Sequence, residues 1–215
     1  MKSKWAMIWG ANGDIGQAVV KHLKESGWST CAVSRSIDNV ESMADVSASI
    51  RDIGDSASVD RAVLEVGYEA DPLDLWVYSI GDISLNPVQE MDYEIWNRMI
   101  LANLTGAYLA VKASLPLMSE KAHIVFIGAV NERLRLPGLS AYAAAKAGLE
   151  AFAEALKKEE RKKKVTVVRP GAVDTSFWEK VPLKKPKDAM APEKVAQKIV
   201  EIVENGTKGT VDLTH

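Results

Sequence analysis

Three glycines, Gly10, Gly13 and Gly16, directly follow the apolar run Trp5-Ala-Met-Ile-Trp9 and open a helical pattern that runs from Ile15 to about Ser26. An apolar run entering a glycine turn that leads into a helix leaves few folds open, because the chain must reverse within a few residues. Glycine permits that tight turn. It also lets a pyrophosphate approach the backbone and rest on the N-terminus of the helix. The spacing is Gly-x-x-Gly-x-x-Gly, a variant of the dinucleotide-binding pattern, so the loop alone is also compatible with an ordinary strand–helix turn. No Gly-Lys-Ser/Thr follows it, which argues against a kinase-type phosphate loop.

Farther along, short apolar runs alternate with helical patterns. Strand-like runs occupy Ser29–Val33, Ser47–Ile53, Leu73–Ser79, His123–Ile127, Val165–Val168 and Gly209–Leu213. Between them lie helical patterns over 56–67, 90–118, 140–161 and 192–204, and Gly27 is a natural stop for the first helix. Such alternation predicts an α/β fold with a parallel sheet covered on both faces. With 215 residues, no internal repeat and no low-complexity linker, the chain reads as one domain. Its one irregular stretch is 175–191, rich in Pro and Lys.

A net charge of −2 argues against a nucleic-acid partner held by bulk electrostatics. The run Lys157-Lys-Glu-Glu-Arg-Lys-Lys-Lys164 reads as a solvated helix end, where cations complement the helix dipole. The single cysteine, Cys31, excludes an intramolecular disulfide and a cysteine-rich metal site. His22, His123 and His215 are far apart and suggest no metal site. No charged-then-apolar leader opens the chain and no apolar run approaches the length of a membrane span, so a cytoplasmic protein without a membrane partner is expected.

Two further features carry chemistry. The second strand runs into Ser34-Arg35-Ser36, with no acid before Asp38. An acid at that place accepts from ribose hydroxyls, whereas a guanidinium beside hydroxyls suits a phosphate monoester. The expected cofactor is therefore NADP(H) rather than NAD(H), the alternative for Arg35 being an exposed loop charge. The second feature is Tyr142 and Lys146, four residues apart in an alanine-rich helical stretch and so on one helix face. A phenol titrates at about 10, and a nearby ammonium is expected to lower that value toward the range of acid–base catalysis.

With these pieces in order, the chain resembles the short-chain dehydrogenase/reductase family along nearly its whole length. Gly10, Gly13 and Gly16 match the glycine loop, and Asp52-Ile53 is similar to the pair that contacts adenine. Tyr78-Ser-Ile-Gly81 stands where the family has Asn-Asn-Ala-Gly. Asn103, in Asn-Leu-Thr-Gly, resembles the proton-relay asparagine, and Tyr142 with Lys146 matches the catalytic pair. Pro170-Gly-Ala-Val-Asp-Thr175 matches the segment lining the nicotinamide. The resemblance implies a single-domain Rossmann fold over 1–215, with a doubly wound sheet of about seven strands and a short substrate lid at 175–191. It implies a carbonyl/alcohol substrate, hydride transfer with Tyr142 as acid/base, Lys146 on the nicotinamide ribose and Asn103 positioning a relay water. The implied cofactor contacts are Gly10, Asn12, Gly13, Asp14, Ile15, Gly16, Ser34, Arg35, Asp52, Ile53, Ser79, Ile80, Gly81, Tyr142, Lys146, Pro170, Gly171, Val173 and Thr175, with no metal. Family membership also implies a homodimer or homotetramer.

The match has gaps. The family's active-site serine lies thirteen residues before the tyrosine, and here that position is Ala129. Losing such a hydrogen-bond donor weakens transition-state stabilisation by a few kcal/mol, roughly. Asn131 or Ser140 could compensate, although Asn131 is expected to act as a loop cap. Asp14 replaces a glycine and is expected to point outward. Trp9 replaces a threonine, and Tyr78 an asparagine; both are expected to pack in the core. The lid carries Phe177, Trp178, Lys180, Lys184, Lys185 and Lys187, which suit an apolar or an acidic substrate, or a solvated loop anchored by its tryptophan. Ala129 keeps a second reading open, that of a dinucleotide-binding redox sensor or scaffold with little turnover.

Overall fold

The computed structural model describes residues 3–213; His215 lies outside them. The chain runs β1 (Trp5–Trp9), α1 (Asp14–Glu25), β2 (Ser29–Ser34), β3 (Val46–Ser49), α2 (Ser56–Glu69) and β4 (Leu73–Tyr78). It continues through α3 (Tyr93–Ile100), α4 (Gly106–Ser114), β5 (Met118–Ile127), α5 (Ser140–Glu159), β6 (Lys164–Pro170), α6 (Pro192–Asn205) and β7 (Gly209–Leu213). The strands form one sheet of order β3-β2-β1-β4-β5-β6-β7, parallel at every pairing. This is the expected doubly wound Rossmann arrangement.

Alternation along each strand divides the core in two. On β1, Met7 and Trp9 face one side, packed among residues of α2, α4 and α5. Ala6 and Ile8 face the other, packed among residues of α1 and α6. A strand apolar on both faces has to be buried on both, which is why these runs read as nearly continuous in sequence. Cys31 on β2 is buried, and burial pushes its thiol up to about 12.

Four expectations need correction. The expected strand Ser47–Ile53 ends at Ser49, because the Asp52 carboxylate accepts from Gly54 N at 2.8 Å and bends the chain into a turn. The helix expected over 90–118 is interrupted at Leu101–Thr105 by a π-helical turn, and β5 starts at Met118 rather than His123. Fourthly, the stretch Tyr93–Leu117 is long and apolar enough to cross a membrane by length and composition, with mean hydropathy 1.3 over its most apolar window. In the fold, one side of this stretch packs on the sheet through Ala107, Ala110 and Val111, while Tyr93, Trp96 and Tyr108 remain exposed.

Candidate active site

The glycine loop sits at the C-terminal ends of β1 and β4. Gly10 has φ +81, and a Cβ there would lie 2.8 Å from Ile80 N. A Cβ on Gly16 would lie 2.2 Å from Gly10 O, so only hydrogen fits where the loop meets α1. Gly13 N donates to Gly10 O at 3.0 Å, and Gln17 Nε2 donates to Asn12 O at 2.9 Å, fixing the turn. The Ser79 hydroxyl donates to Trp9 O at 2.7 Å and fastens β4 to β1 beneath the loop. No side chain caps α1. Its first-turn N–H groups at Ile15 and Gly16 therefore face the loop as a ready anion site.

At the end of β2, Ser34 is buried and its hydroxyl donates to Ser36 O. Ser36 in turn donates to Asp38 at 2.8 Å, so that acid is turned toward Ser36. Arg35 is exposed and forms no ion pair among the described residues. Asp52 is exposed and Ile53 is half-buried, the latter packed against the core below α4. The structure thus brings a glycine cradle, a helix N-terminus and a guanidinium without an ion pair to the C-terminal ends of β1 and β2. That donor set fits a phosphorylated dinucleotide.

The second half of the site hangs on α5 and the π turn. Tyr142 and Lys146 share one face of α5 and are both buried. Lys146 Nζ donates to Ile127 O at 2.9 Å and lies 5.8 Å from the centre of the Tyr142 ring. Burial holds the ammonium down to about 8, and burial pushes the phenol above its ordinary value. The expectation that Lys146 lowers the phenol is therefore overturned: removing both groups from water favours their neutral forms more than the ammonium favours a phenolate.

Asn103 is fully buried within the π turn. Its Nδ2 donates to Asp82 O at 2.8 Å and to Met99 O at 2.9 Å, while Oδ1 faces Asp82 N at 3.4 Å. A wider turn leaves carbonyls unmatched in the ladder. The Asn103 amide meets one of them, and the Tyr78 hydroxyl meets another by donating to Ala102 O at 2.9 Å. Tyr78 is therefore more than core packing. Both ends of the Asn103 amide are engaged with protein groups, so what it visibly does is hold the segment at Gly81 and Asp82.

The last wall is the segment after β6. Pro170 ends that strand, Gly171 N donates to Leu213 O at 3.2 Å, and Val173 is buried and bridged to Met190. Trp178 Nε1 donates to Val173 O at 2.8 Å, which makes Trp178 the anchor of the lid. Thr175 leads into a short 3-10 turn, Ser176–Lys180. Asp14 is exposed, as expected, but its carboxylate is not free. Its Oδ2 accepts from Ser176 N at 2.9 Å and from Ser176 Oγ at 2.8 Å, because a carboxylate at the edge of the loop finds two donors there. Ala129 is buried just past β5. Asn131 caps no helix: it begins a 3-10 turn with its Oδ1 buried and unpartnered. Ser140 opens α5 and is exposed.

A family model described as short chain dehydrogenase matches residues 4–186. The chain belongs to the short-chain dehydrogenase family. The 3-oxoacyl-(acyl-carrier-protein) reductase FabG of Escherichia coli (strain K12) is 29% identical over 185 residues, covering 82% of this chain and 76% of the relative. The 3-oxoacyl-(acyl-carrier-protein) reductase MabA of Mycobacterium bovis is 31% identical over 179 residues, covering 81% and 71%. An alcohol dehydrogenase of Thermococcus sibiricus, solved with 5-hydroxy-NADP, superposes with a TM-score of 0.89 at 23% identity, covering 99% of this chain and 96% of that one. That last likeness shows the fold.

In this short-chain dehydrogenase, sequence reasoning missed Asp82. Its carboxylate pairs with Lys180 at 2.8 Å and with Arg98 at 2.9 Å, and its backbone is gripped by Asn103. The signal available was its place directly after Gly81 in a matched segment. Among the described residues no cluster of His, Cys, Asp or Glu forms a metal site.

Proposed function

We propose that this short-chain dehydrogenase is an NADP(H)-dependent oxidoreductase that interconverts a carbonyl and an alcohol, with Tyr142 as its acid/base. The observation that carries the reading is the buried Tyr142–Lys146 pair beyond the end of β5, at the same C-terminal end of the sheet as the glycine cradle after β1 and Arg35 after β2. The backbone of Gly10, Asn12, Gly13, Ile15 and Gly16 would hold the pyrophosphate. Ser34 and Arg35 would take the 2′-phosphate, with Asp52 and Ile53 beside the adenine. Ser79, Ile80, Gly81, Lys146, Pro170, Gly171, Val173 and Thr175 would surround the nicotinamide end. When bound, the cofactor supplies the hydride; the protein supplies position and a proton.

In the reducing direction Tyr142 gives its phenolic proton to the substrate oxygen. A phenol raised by burial stays protonated at neutral pH and so begins the reaction as a donor. Lys146, buried and held by Ile127 O, places a positive charge near the phenolate that forms. Asn103 acts as a positioning residue through Gly81 and Asp82. We take a small carbonyl compound as its class of substrate. The exposed Tyr93, Trp96 and Tyr108 on α3 and α4 support assembly as a homodimer or homotetramer. We read the protein as cytoplasmic, as its buried, unpaired Cys31 thiol suits a reducing compartment.

The decisive experiment titrates NADPH and NADH into wild type and Arg35→Ser, then assays wild type and Tyr142→Phe on a panel of carbonyl compounds. NADPH binds wild type more tightly, and Arg35→Ser narrows the gap by about tenfold, the loss of one strong charge-assisted contact. Tighter NADH binding would refute the cofactor assignment. Equal activity of wild type and Tyr142→Phe would remove Tyr142 from the chemistry. Ala129 favours the alternative of a sensor or scaffold; NADPH binding without turnover of any carbonyl would support it.

A further inference from the structure

The lid turn Ser176–Lys180 is fastened on both sides of the cleft. On the loop side, Ser176 gives both its N–H and its hydroxyl to the Asp14 carboxylate. On the far side, Lys180 pairs with Asp82 at 2.8 Å, and Arg98 braces that acid from α3. Phe177 lies between the two fastenings. A Cβ placed on Gly81 would be 3.8 Å from Phe177 Cζ, 3.8 Å from Lys146 Nζ and 3.1 Å from Asn103 Oδ1. The Phe177 ring centre is also 6.3 Å from that of Tyr142, and Lys180 Nζ lies over the Phe177 ring at 5.2 Å. The phenylalanine thus stands beside the groups that the nicotinamide riboside would have to reach.

We propose that the lid is a self-closing gate, with Phe177 occupying the nicotinamide end of the cleft until an arriving dinucleotide breaks the Asp14–Ser176 and Asp82–Lys180 latches. This rests on the dinucleotide reading above. Ser176 and Lys180 are exposed, and ion pairs in water are weak, so the latches hold the lid without locking it. Asp14 couples the gate to its ligand. A pyrophosphate on the N-terminus of α1 repels the Asp14 carboxylate and competes for the same donors, so binding favours the unlatched state. Trp178 and the Val173–Met190 bridge hold the base of the lid, while the fastenings released are those at its tip.

The gate is tested on wild type, Phe177→Ala and Asp14→Asn by tryptic cleavage after Lys180, Lys184 and Lys187 and by stopped-flow association of NADPH. A gate closed nine-tenths of the time reduces the binding-competent fraction, and hence apparent affinity, about tenfold. Both variants are therefore cleaved several times faster without cofactor and associate with NADPH several times faster than wild type. Asp14→Asn is an exposed, nearly isosteric change, so it decides the matter even where Phe177→Ala fails to fold. Equal cleavage and equal association rates would overturn the gate while leaving the dinucleotide reading standing. No NADPH binding by any of the three proteins would overturn that reading and, with it, the role given to the gate.

Discussion

Replacing Lys146 by methionine should make the protein more stable while destroying its activity. Lys146 is 4% exposed, and burial depresses its ammonium from 10.5 to about 8. A folded value below the unfolded one means that the unfolded chain binds more protons between these limits, so this group makes stability rise with pH there. At pH 7 the lysine is charged in both states, and the depression amounts to about 3 kcal/mol against the fold. Methionine has a similar length and no charge, so it removes that penalty. It also leaves Ile127 O without its donor, which costs about 1–2 kcal/mol. The net expectation at pH 7 is a gain of about 1–2 kcal/mol, read as a higher urea midpoint. The pH dependence is the sharper test. The advantage of Lys146→Met over wild type should fall by about 3 kcal/mol between pH 8 and 10.5, because wild type sheds its buried charge in that window. Tyrosines titrating there do so in both proteins and cancel in the difference. A stability difference that does not change across this window would refute the claim that the ammonium is held in a desolvated site.

Gly106→Ala should destabilise by about 3 kcal/mol, because its Cβ would lie 2.5 Å from both Ile53 Cγ1 and the Tyr78 hydroxyl; thermal melts check this, and a normal melting temperature would count against the packing described. His123 is buried with its imidazole lowered to about 4 by burial and by the charges of Lys164 and Lys208. The unfolded chain takes up that proton first, so stability should fall by about 3 kcal/mol from pH 6.5 to 4, and His123→Asn should flatten this slope in urea titrations. Ala129→Ser should raise kcat about tenfold or more if the site lacks a second donor to the substrate oxygen, without moving the KM for NADPH. An unchanged kcat would mean that another group already fills that place.

Much of the fold was legible because its signals are local. Apolar runs of strand length and the glycine loop each act within a few residues, and they marked most of the elements to within a turn. Boundaries failed where distant atoms decide. The π turn at Leu101–Thr105 is held by Tyr78 and Asn103 side chains acting on its carbonyls, and no local pattern announces them. The site was legible in part for a similar reason. Tyr142, Lys146 and the glycines stand at recognisable spacings, whereas Asp82 acquires its role only by meeting residues from three other segments.

The order of strands and helices, the cradle and the helical spacing of Tyr142 and Lys146 were determined by the sequence alone, since backbone sterics and hydrophobic periodicity operate at short range. Two things were decided only by the tertiary structure. One is the electrostatic character of the Tyr142–Lys146 pair, because burial comes from the whole fold and outweighs the charge four residues away. The other is the closing of the lid, where Asp14 meets Ser176 across 162 residues of chain and Asp82 meets Lys180 across 98. Contacts of that separation exist only once the sheet has brought the ends of its strands together.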